Sequence, residues 1–381
     1  MKRRILFIIP HFYRSGGAER TLSLIVKELS NLYDISILTF HDNKKIYDFN
    51  GDYYSLNENK GLKKFLNHFK INEIVRPFNI YIKIRIISPD LILSFMDFAN
   101  IPVILTKLIF RLKIPLIISI RANPKEEYKS NNKYMNFLIK LLYNLKKIEK
   151  IVTVSKKQQK LLEKYYKIKK SKFLTIYNGL DLAKIQELRN SPIKEFKNIF
   201  KDPNIIKFIS VGRLSEEKGH IFLLESFKKV KKSGFDSKLV IIGNGPLKHS
   251  LEDYIRKWKL ENDVYLLGFQ KNPFKFLSEA DIFILSSKHE GFPNALIEAL
   301  ACGIPVISTN CETGPIEILD NGKYGYLVNV NDVDNLADKM IFLIKNPEIL
   351  KNFSRLAFER AKIFNIDKIS EEWINLINSN I

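Results

Sequence analysis

Short runs of consecutive apolar residues recur along the whole chain, each followed by a longer stretch with helical spacing, and this alternation restricts the fold more than any other feature. In the first half the runs are Ile5 to Ile9, Ile35 to Thr39, Leu91 to Phe95, Leu116 to Ile120, Ile151 to Val154 and Phe173 to Ile176. In the second half they are Phe208 to Val211, Leu239 to Ile242, Val264 to Leu267, Ile282 to Leu285 and Val306 to Ser308. A strand that is apolar on both faces must be covered on both faces, which parallel sheets achieve with crossover helices. The pattern predicts an α/β protein with two doubly wound parallel sheets in succession. The 381-residue length agrees, since single cores stop growing beyond about 250–300 residues.

The break between the sheets is expected after Tyr177-Asn-Gly-Leu-Asp181, with a linker in the polar stretch Gln186 to Asn204, where no apolar period survives. This gives a first domain of residues 1–185 and a second of 186–360. From Pro347 onward the chain reads as helix, with Phe353, Leu356, Ala357 and Ala361, then Ile369, Trp373, Ile374 and Ile377, at helical spacings. Its last part, 361–381, is expected to return to the first domain.

With 45% hydrophobic and 27% charged residues, the composition excludes a disordered chain, a collagen-like repeat and a coiled-coil rod. Cys302 and Cys311 are too few for a disulfide framework and sit at no zinc-ligand spacing, which fits a reducing cytoplasm. The formal charge of +21 is uneven: residues 1–185 hold 35 Lys and Arg against 15 Asp and Glu, while 186–381 hold 27 against 26. Such an excess attracts a membrane surface, a phosphorylated substrate or nucleic acid. A basic nucleic-acid-binding protein is the non-enzyme alternative, carried by the charge alone and ranked far lower, because the chain has no RNP-type aromatic strand, zinc module or clear recognition helix; nucleic acid is not an expected partner.

No 18-residue apolar segment occurs. The nearest, Ile101 to Ile120, is interrupted by Pro102, Lys107, Arg111, Lys113 and Pro115. The start, Met1-Lys-Arg-Arg followed by a short apolar run, is read as a buried first strand and not as a signal peptide. Lys133 to Lys150 and Gly61 to Lys70 mix lysines with abundant apolar residues. They can lie on an anionic leaflet or pack their apolar faces on the first sheet.

Three segments offer chemistry. Ser15-Gly-Gly-Ala-Glu19 follows the first strand and opens a helix; Gly16 and Gly17 let the backbone approach a ligand, and the helix start offers free N–H groups to an anion. The same residues also suit a simple strand-to-helix turn. Ser210-Val-Gly-Arg-Leu-Ser-Glu-Glu-Lys-Gly219 places Arg213 and Lys218 on one loop, where both can reach a diphosphate or remain solvated beside Glu216 and Glu217. In Ser286 to Pro305 a strand ends in a loop holding Glu290, and a helix starting near Asn294 carries Glu298. Carboxylates accept hydrogen bonds from sugar hydroxyls, and N–H groups around Asn294 and Ala295 suit phosphate.

Gly-Gly-x-Glu near the start, Gly-Arg-Leu-x-x-x-Lys-Gly after a strand, Gly243-Asn-Gly-Pro246, and Glu290 with Glu298 together resemble the large retaining family 4 of glycosyltransferases, which has the GT-B fold. The resemblance runs from the first strand to about residue 330. It implies two Rossmann-like domains facing a cleft, with the acceptor bound mainly by the first and the sugar nucleotide by the second. It also implies catalytic roles for Arg213, Lys218 and Glu290: the two cations neutralise the leaving diphosphate, and Glu290 binds hydroxyls of the transferred sugar. Glu298 would bind the ribose, and the loop with Gly268 and Phe269 the base. Gly16, Gly17, Glu19, Asn178, Gly243, Gly245, Gly291, Phe292, Asn294 and Ala295 complete the expected substrate-binding set. No cofactor and no bound metal are implied, and no Asp-x-Asp is expected at a strand end.

One position departs from the family. Where many members carry a histidine after the strand ending at Ile120, this chain has Arg121. A guanidinium is no general base at neutral pH, but it suits an anionic or diphosphate-bearing acceptor. Cys311-Glu-Thr-Gly-Pro-Ile-Glu-Ile-Leu319 is similar to a stretch in members that build cell-surface polysaccharide, lipopolysaccharide core and lipid-linked oligosaccharides. The expected reaction moves a hexose or N-acetylhexosamine from a nucleotide sugar, UDP foremost, to a lipid-linked or cell-surface saccharide. It would take place in the cytoplasm or at the inner face of the cell membrane. A small soluble acceptor, or nucleotide-sugar epimerisation, stays open.

Overall fold

The computed structural model describes residues 2–12, 16–41, 47, 49–56, 71–121, 133–200 and 202–381. The chain forms two compact units, one of Met1–Gly179 with Ile366–Ile381, the other of Leu180–Asn365.

The first unit is built on seven parallel strands: β1 (Arg4–Ile9), β2 (Asp34–Thr39), β3 (Asp52–Ser55), β4 (Leu91–Phe95), β5 (Leu116–Ile120), β6 (Lys150–Thr153) and β7 (Phe173–Thr175). They lie in the order β3-β2-β1-β4-β5-β6-β7, so the order reverses at the β1–β4 pair. Because successive side chains alternate between faces, Leu6, Ile8 and Ile92 meet the helices Ile71–Ile87, Asp97–Ile109 and Lys133–Tyr143 on one side. Ile5, Phe7, Leu93 and Phe95 meet the helices Gly17–Leu29 and Ile366–Asn378 on the other. The terminal helix is integral to this unit: Trp373 is fully buried with its ring 5.6 Å from that of Phe95, and Tyr33 Oη donates to Asn378 Oδ1 at 2.7 Å.

The second unit has six parallel strands: β8 (Ile206–Val211), β9 (Ser237–Ile242), β10 (Val264–Gly268), β11 (Ile282–Leu285), β12 (Val306–Thr309) and β13 (Tyr326–Val328). Their order is β10-β9-β8-β11-β12-β13, again with a reversal, here between β8 and β11.

Several expectations need adjusting. The segment expected as a linker begins with a helix, Leu182–Arg189, whose first turn is capped by Asp181 accepting from Lys184 N at 2.9 Å. That helix is tied into the second unit by Gln186 Nε2 donating to Ala301 O (2.9 Å) and Asn272 Nδ2 to Leu188 O (2.8 Å). The units meet in sequence at Gly179 and Asn365, where 185 and 360 were expected. The C-terminal stretch is two helices, Pro347–Ala361 in the second unit and Ile366–Asn378 in the first. An Asp-x-Asp does occur after β13, Asp332-Val-Asp334, but its carboxylates serve the fold. Asp332 caps a helix through Asn335 N, and Asp334 pairs with Lys229.

Residues 101–120, the most apolar stretch, are divided between the Asp97–Ile109 helix and β5. Among the described residues no helix is long and apolar enough to cross a membrane. Lys133–Tyr143 buries Ile139, Leu142 and Tyr143 and exposes Phe137 and Leu141, whereas Gly61 to Lys70 lies outside the described residues.

Candidate functional site

The reversal between β8 and β11 makes the segments leaving these neighbouring strands diverge, the place where open α/β sheets bind ligands. After β8 the chain passes Gly212 into the loop of Arg213, Ser215, Glu217 and Lys218. Gly219 closes it with φ +62°, and a Cβ there would stand 2.2 Å from the Ser286 carbonyl oxygen, so glycine is required for the loop to lie against the end of β11. Ser286 Oγ then donates to Lys218 O (2.9 Å) and Lys288 N to Glu217 O (2.8 Å).

This seam carries the central pair. Lys218 Nζ lies 2.6 Å from Glu290 Oε1, which also accepts from Ser287 Oγ at 2.6 Å. The Glu290 side chain is only 9% exposed, so the ion pair is shielded from solvent, and the hydroxyl fixes which carboxylate oxygen faces the ammonium. Arg213 is exposed and forms no ion pair among the described residues. Burial raises the Glu217 pKa, but a 2.5 Å bond from Ser215 Oγ, its own backbone amide and the charges of Lys218 and Arg213 outweigh this and hold it below the usual value. His220 is buried directly beyond; burial, with the Lys218 charge acting the same way against Glu217, lowers its pKa to about 4, and its Nδ1 has no hydrogen-bond partner.

The Glu290 loop is braced from behind. Thr309 Oγ1 and Cys311 Sγ both donate to Ser287 O, at 2.5 and 3.0 Å, and Thr313 Oγ1 donates to Glu290 O. The Thr-Gly-Pro stretch is therefore a buttress of the carboxylate loop. Both cysteines are buried thiols whose pKa burial pushes up to about 12.

The remaining sequence-derived positions of this unit fall into groups. Asn294 and Ala295 open the Asn294–Ala301 helix, whose N-cap, Pro293, gives no side-chain cap, and Glu298 sits buried one turn in. Gly268 ends β10 and Phe269 beyond it is 55% exposed. Gly243 and Gly245 serve packing: a Cβ would lie 1.8 Å from Gly212 O and 2.2 Å from Leu214 O, so their bareness seats the β9 loop under the Arg213 loop. Gly291 precedes Phe292, whose ring is buried edge-on against Phe364, 5.6 Å away.

In the first unit, Gly16 is the N-cap and Gly17 the first residue of the helix after β1, and the Glu19 carboxylate folds back to Gly16. Ser15 lies outside the described residues. Arg121 leaves β5, donates from Nη1 to Asn178 Oδ1 at 2.9 Å, and lies with Cζ 4.6 Å from the Phe95 ring and 5.7 Å from that of Trp373. Its Nε and Nη2 are sealed from solvent without a partner. Burial lowers its pKa to about 9, so it remains a cation at neutral pH, with no carboxylate to balance it among the described residues.

Sequence reasoning did not single out Ser287, His220, Thr313, Phe95 or Trp373 as parts of these two clusters. Ser287 and Thr313 stood inside quoted motifs, whereas nothing local marks Trp373, 252 residues beyond Arg121, as the platform under its guanidinium.

The family described as Glycosyltransferase Family 4 matches residues 15–184, and that described as Glycosyl transferases group 1 matches residues 191–360. An uncharacterised glycosyltransferase of Methanocaldococcus jannaschii is 36% identical, covering 94% of this chain and 95% of its own. The N-acetylgalactosamine-N,N'-diacetylbacillosaminyl-diphospho-undecaprenol 4-alpha-N-acetylgalactosaminyltransferase of Campylobacter jejuni is 30% identical over the same shares. Among solved structures, HepE of Anabaena in complex with UDP and glucose superposes with a TM-score of 0.80 at 19% identity, over 98% of this chain and 99% of that one.

Proposed function

As the chain belongs to the glycosyltransferases, joining a family 4 domain to a group 1 domain in the GT-B fold, we propose that it moves a hexose or N-acetylhexosamine from a UDP-sugar to a lipid-linked or cell-surface saccharide. The observation that carries this is the Lys218–Glu290 pair at the point where the second sheet reverses. It sets an ammonium for a diphosphate beside a carboxylate for sugar hydroxyls.

Departure of the nucleoside diphosphate is the costly step, because negative charge gathers on the leaving oxygens. Lys218, already fixed by Glu290, meets that charge without reorganisation, and Arg213, exposed and with no ion pair among the described residues, adds a guanidinium fork. Glu290 takes hydroxyls of the transferred sugar, Glu298 the ribose, and the Gly268–Phe269 turn the base. The first N–H groups of the Asn294–Ala301 helix, at Asn294 and Ala295, add to the diphosphate site. The acceptor attacks on the face the diphosphate leaves, retaining the anomeric configuration, and no covalent nucleophile is assigned.

The acceptor falls to the first unit, through Gly16, Gly17, Glu19, Arg121 and Asn178. Arg121 supports an anionic acceptor, since its sealed Nε and Nη2 donors have no partner and the guanidinium no carboxylate among the described residues, a lack that an anion would fill. The Campylobacter relative is named for a diphospho-undecaprenol substrate, and a diphosphate-linked saccharide supplies that charge. Work on such an acceptor places the enzyme at the inner face of the cell membrane as a peripheral protein.

The test is transfer from a panel of nucleotide sugars to a polyprenyl-diphosphate-linked saccharide, with the product anomer assigned by NMR. UDP-sugar-dependent transfer with retention is expected. Transfer with inversion, or epimerised donor without acceptor glycosylation, overturns the assignment.

A further inference from the structure

In the first unit, the helix Ile71–Ile87 turns Ile80, Ile84 and Ile87 into the core, yet its opposite face exposes Val75, Phe78, Ile82 and Ile86 at 42, 55, 43 and 64%. These four recur at the spacing of a single helical stripe, so the helix is apolar on both sides and, among the described residues, only one side is covered. A helix of this kind in water has a second partner. The neighbouring helices of the same layer also expose apolar side chains: Asp97–Ile109 exposes Phe98 and Ile109, and Lys133–Tyr143 exposes Phe137 and Leu141.

The charged residues that line the groove beside the stripe share one sign. A groove of about 360 Å³ at the foot of the Ile71–Ile87 helix is lined by Arg85, Arg111 and Lys113, with Tyr81 and Phe110 stacked at 4.0 Å forming one wall. No acidic residue lines it, and none of the three cations forms an ion pair among the described residues. Apolar rings and branched chains flanking unpaired cations match the two layers of an anionic leaflet, hydrocarbon under phosphate. A protein partner would need acids facing this groove and an apolar face of its own; an anionic bilayer offers both at once.

We propose that this face of the first unit docks on the surface of an anionic lipid bilayer, with Phe78, Ile82 and Ile86 entering the acyl boundary and Arg85, Arg111 and Lys113 taking headgroup phosphates. The docking face lies on helices that carry none of the residues assigned to substrate. It deepens the membrane side of the proposed function without depending on the identity of the donor.

The experiment is co-sedimentation of the full chain with phosphatidylcholine vesicles, alone or with about 30 mol % phosphatidylglycerol. UDP binding, measured in parallel without lipid, reports on the proposed function separately. The wild type is expected to pellet with the anionic vesicles, weakly with the zwitterionic ones, and to resist competition by inorganic phosphate. The combined Phe78→Ser, Ile82→Ser and Ile86→Ser variant is expected to lose at least about tenfold in vesicle affinity while keeping its circular dichroism and UDP binding. The combined Arg85→Gln, Arg111→Gln and Lys113→Gln variant, which leaves the apolar stripe intact, is expected to remove the preference for anionic lipid. Absence of vesicle binding by the wild type overturns the proposal, as do folded variants that bind like it. So does a dimer in light scattering that the serine variant dissolves, since a second copy then covers the face.

Discussion

Lys218 and Glu290, 72 residues apart in sequence, meet at 2.6 Å because one ends the loop after β8, the other lies within the loop after β11, and those strands are neighbours at the reversal of the second sheet. Neither residue is informative alone. Their contact ties a phosphate-binding cation to a hydroxyl-binding carboxylate, with Ser287 as the third member.

Replacing Lys218 by Ala is expected to lower kcat/KM by roughly two to three orders of magnitude, the usual effect of removing one positioned donor to a leaving group. Glu290→Gln should cost a comparable factor, and the double variant less than the product of the two, because each single change already breaks the shared contact. Initial rates of UDP release, with melting temperatures as a folding control, check this; strictly multiplicative losses count against a shared site.

Arg121 is expected to trade stability for acceptor recognition. Arg121→Met removes a buried charge that has no carboxylate partner among the described residues, so the melting temperature should rise, by on the order of 1–3 kcal/mol in stability. The KM for a diphosphate-linked acceptor should rise while the donor KM stays unchanged. A fall in melting temperature with unaltered acceptor KM would make the guanidinium a structural element resting on Phe95 and Trp373.

Gly243→Ala is expected to destabilise the second unit by about 2 kcal/mol or more, because φ is +148° and a Cβ would stand 1.8 Å from Gly212 O. Chemical denaturation measures it. A neutral effect would show that the loops after β8 and β9 are not packed as described.

His220 gives a pH dependence whose sign is fixed. Its folded pKa, about 4, lies below the unfolded value of 6.5, so the unfolded chain binds the extra proton between them. Stability is complete above about pH 6.5 and falls as pH drops toward 4, by on the order of 3 kcal/mol. In His220→Leu this part of the dependence should vanish, as followed by urea unfolding from pH 7 to pH 4.5; an unchanged slope would assign it to other groups.

The central strands were legible because they are buried on both faces and read as unbroken apolar runs: β4 and β11 match residue for residue. The two strands that escaped, β3 and β13, lie at sheet edges and are mostly part-exposed, so Asp52–Ser55 carries no apolar run and Tyr326–Val328 only one of 3 residues. Likewise the Leu182–Arg189 helix buries Ile185 alone and is held by side-chain bonds to distant carbonyls, leaving no period to read. At the site, the strand ends put Lys218 and Glu290 on loops, but it was the family resemblance that set them apart from Glu216, Glu217 and Lys288 on the same loops. A glycine motif likewise does not say whether the backbone it frees will meet a ligand or, as at Gly243, another loop. Trp373 was expected to return to the first domain, but that it would lie beneath Arg121 depends on packing across the sheet end.

The most direct measurement is a calorimetric titration comparing UDP with uridine. If Lys218 and its neighbours recognise a diphosphate, UDP should bind saturably at one site per chain and far more tightly than uridine, and Lys218→Ala should bring UDP down toward the uridine value. Equal binding of UDP and uridine by the wild type, or UDP affinity untouched in a folded Lys218→Ala protein, would contradict a diphosphate site at the Lys218–Glu290 pair.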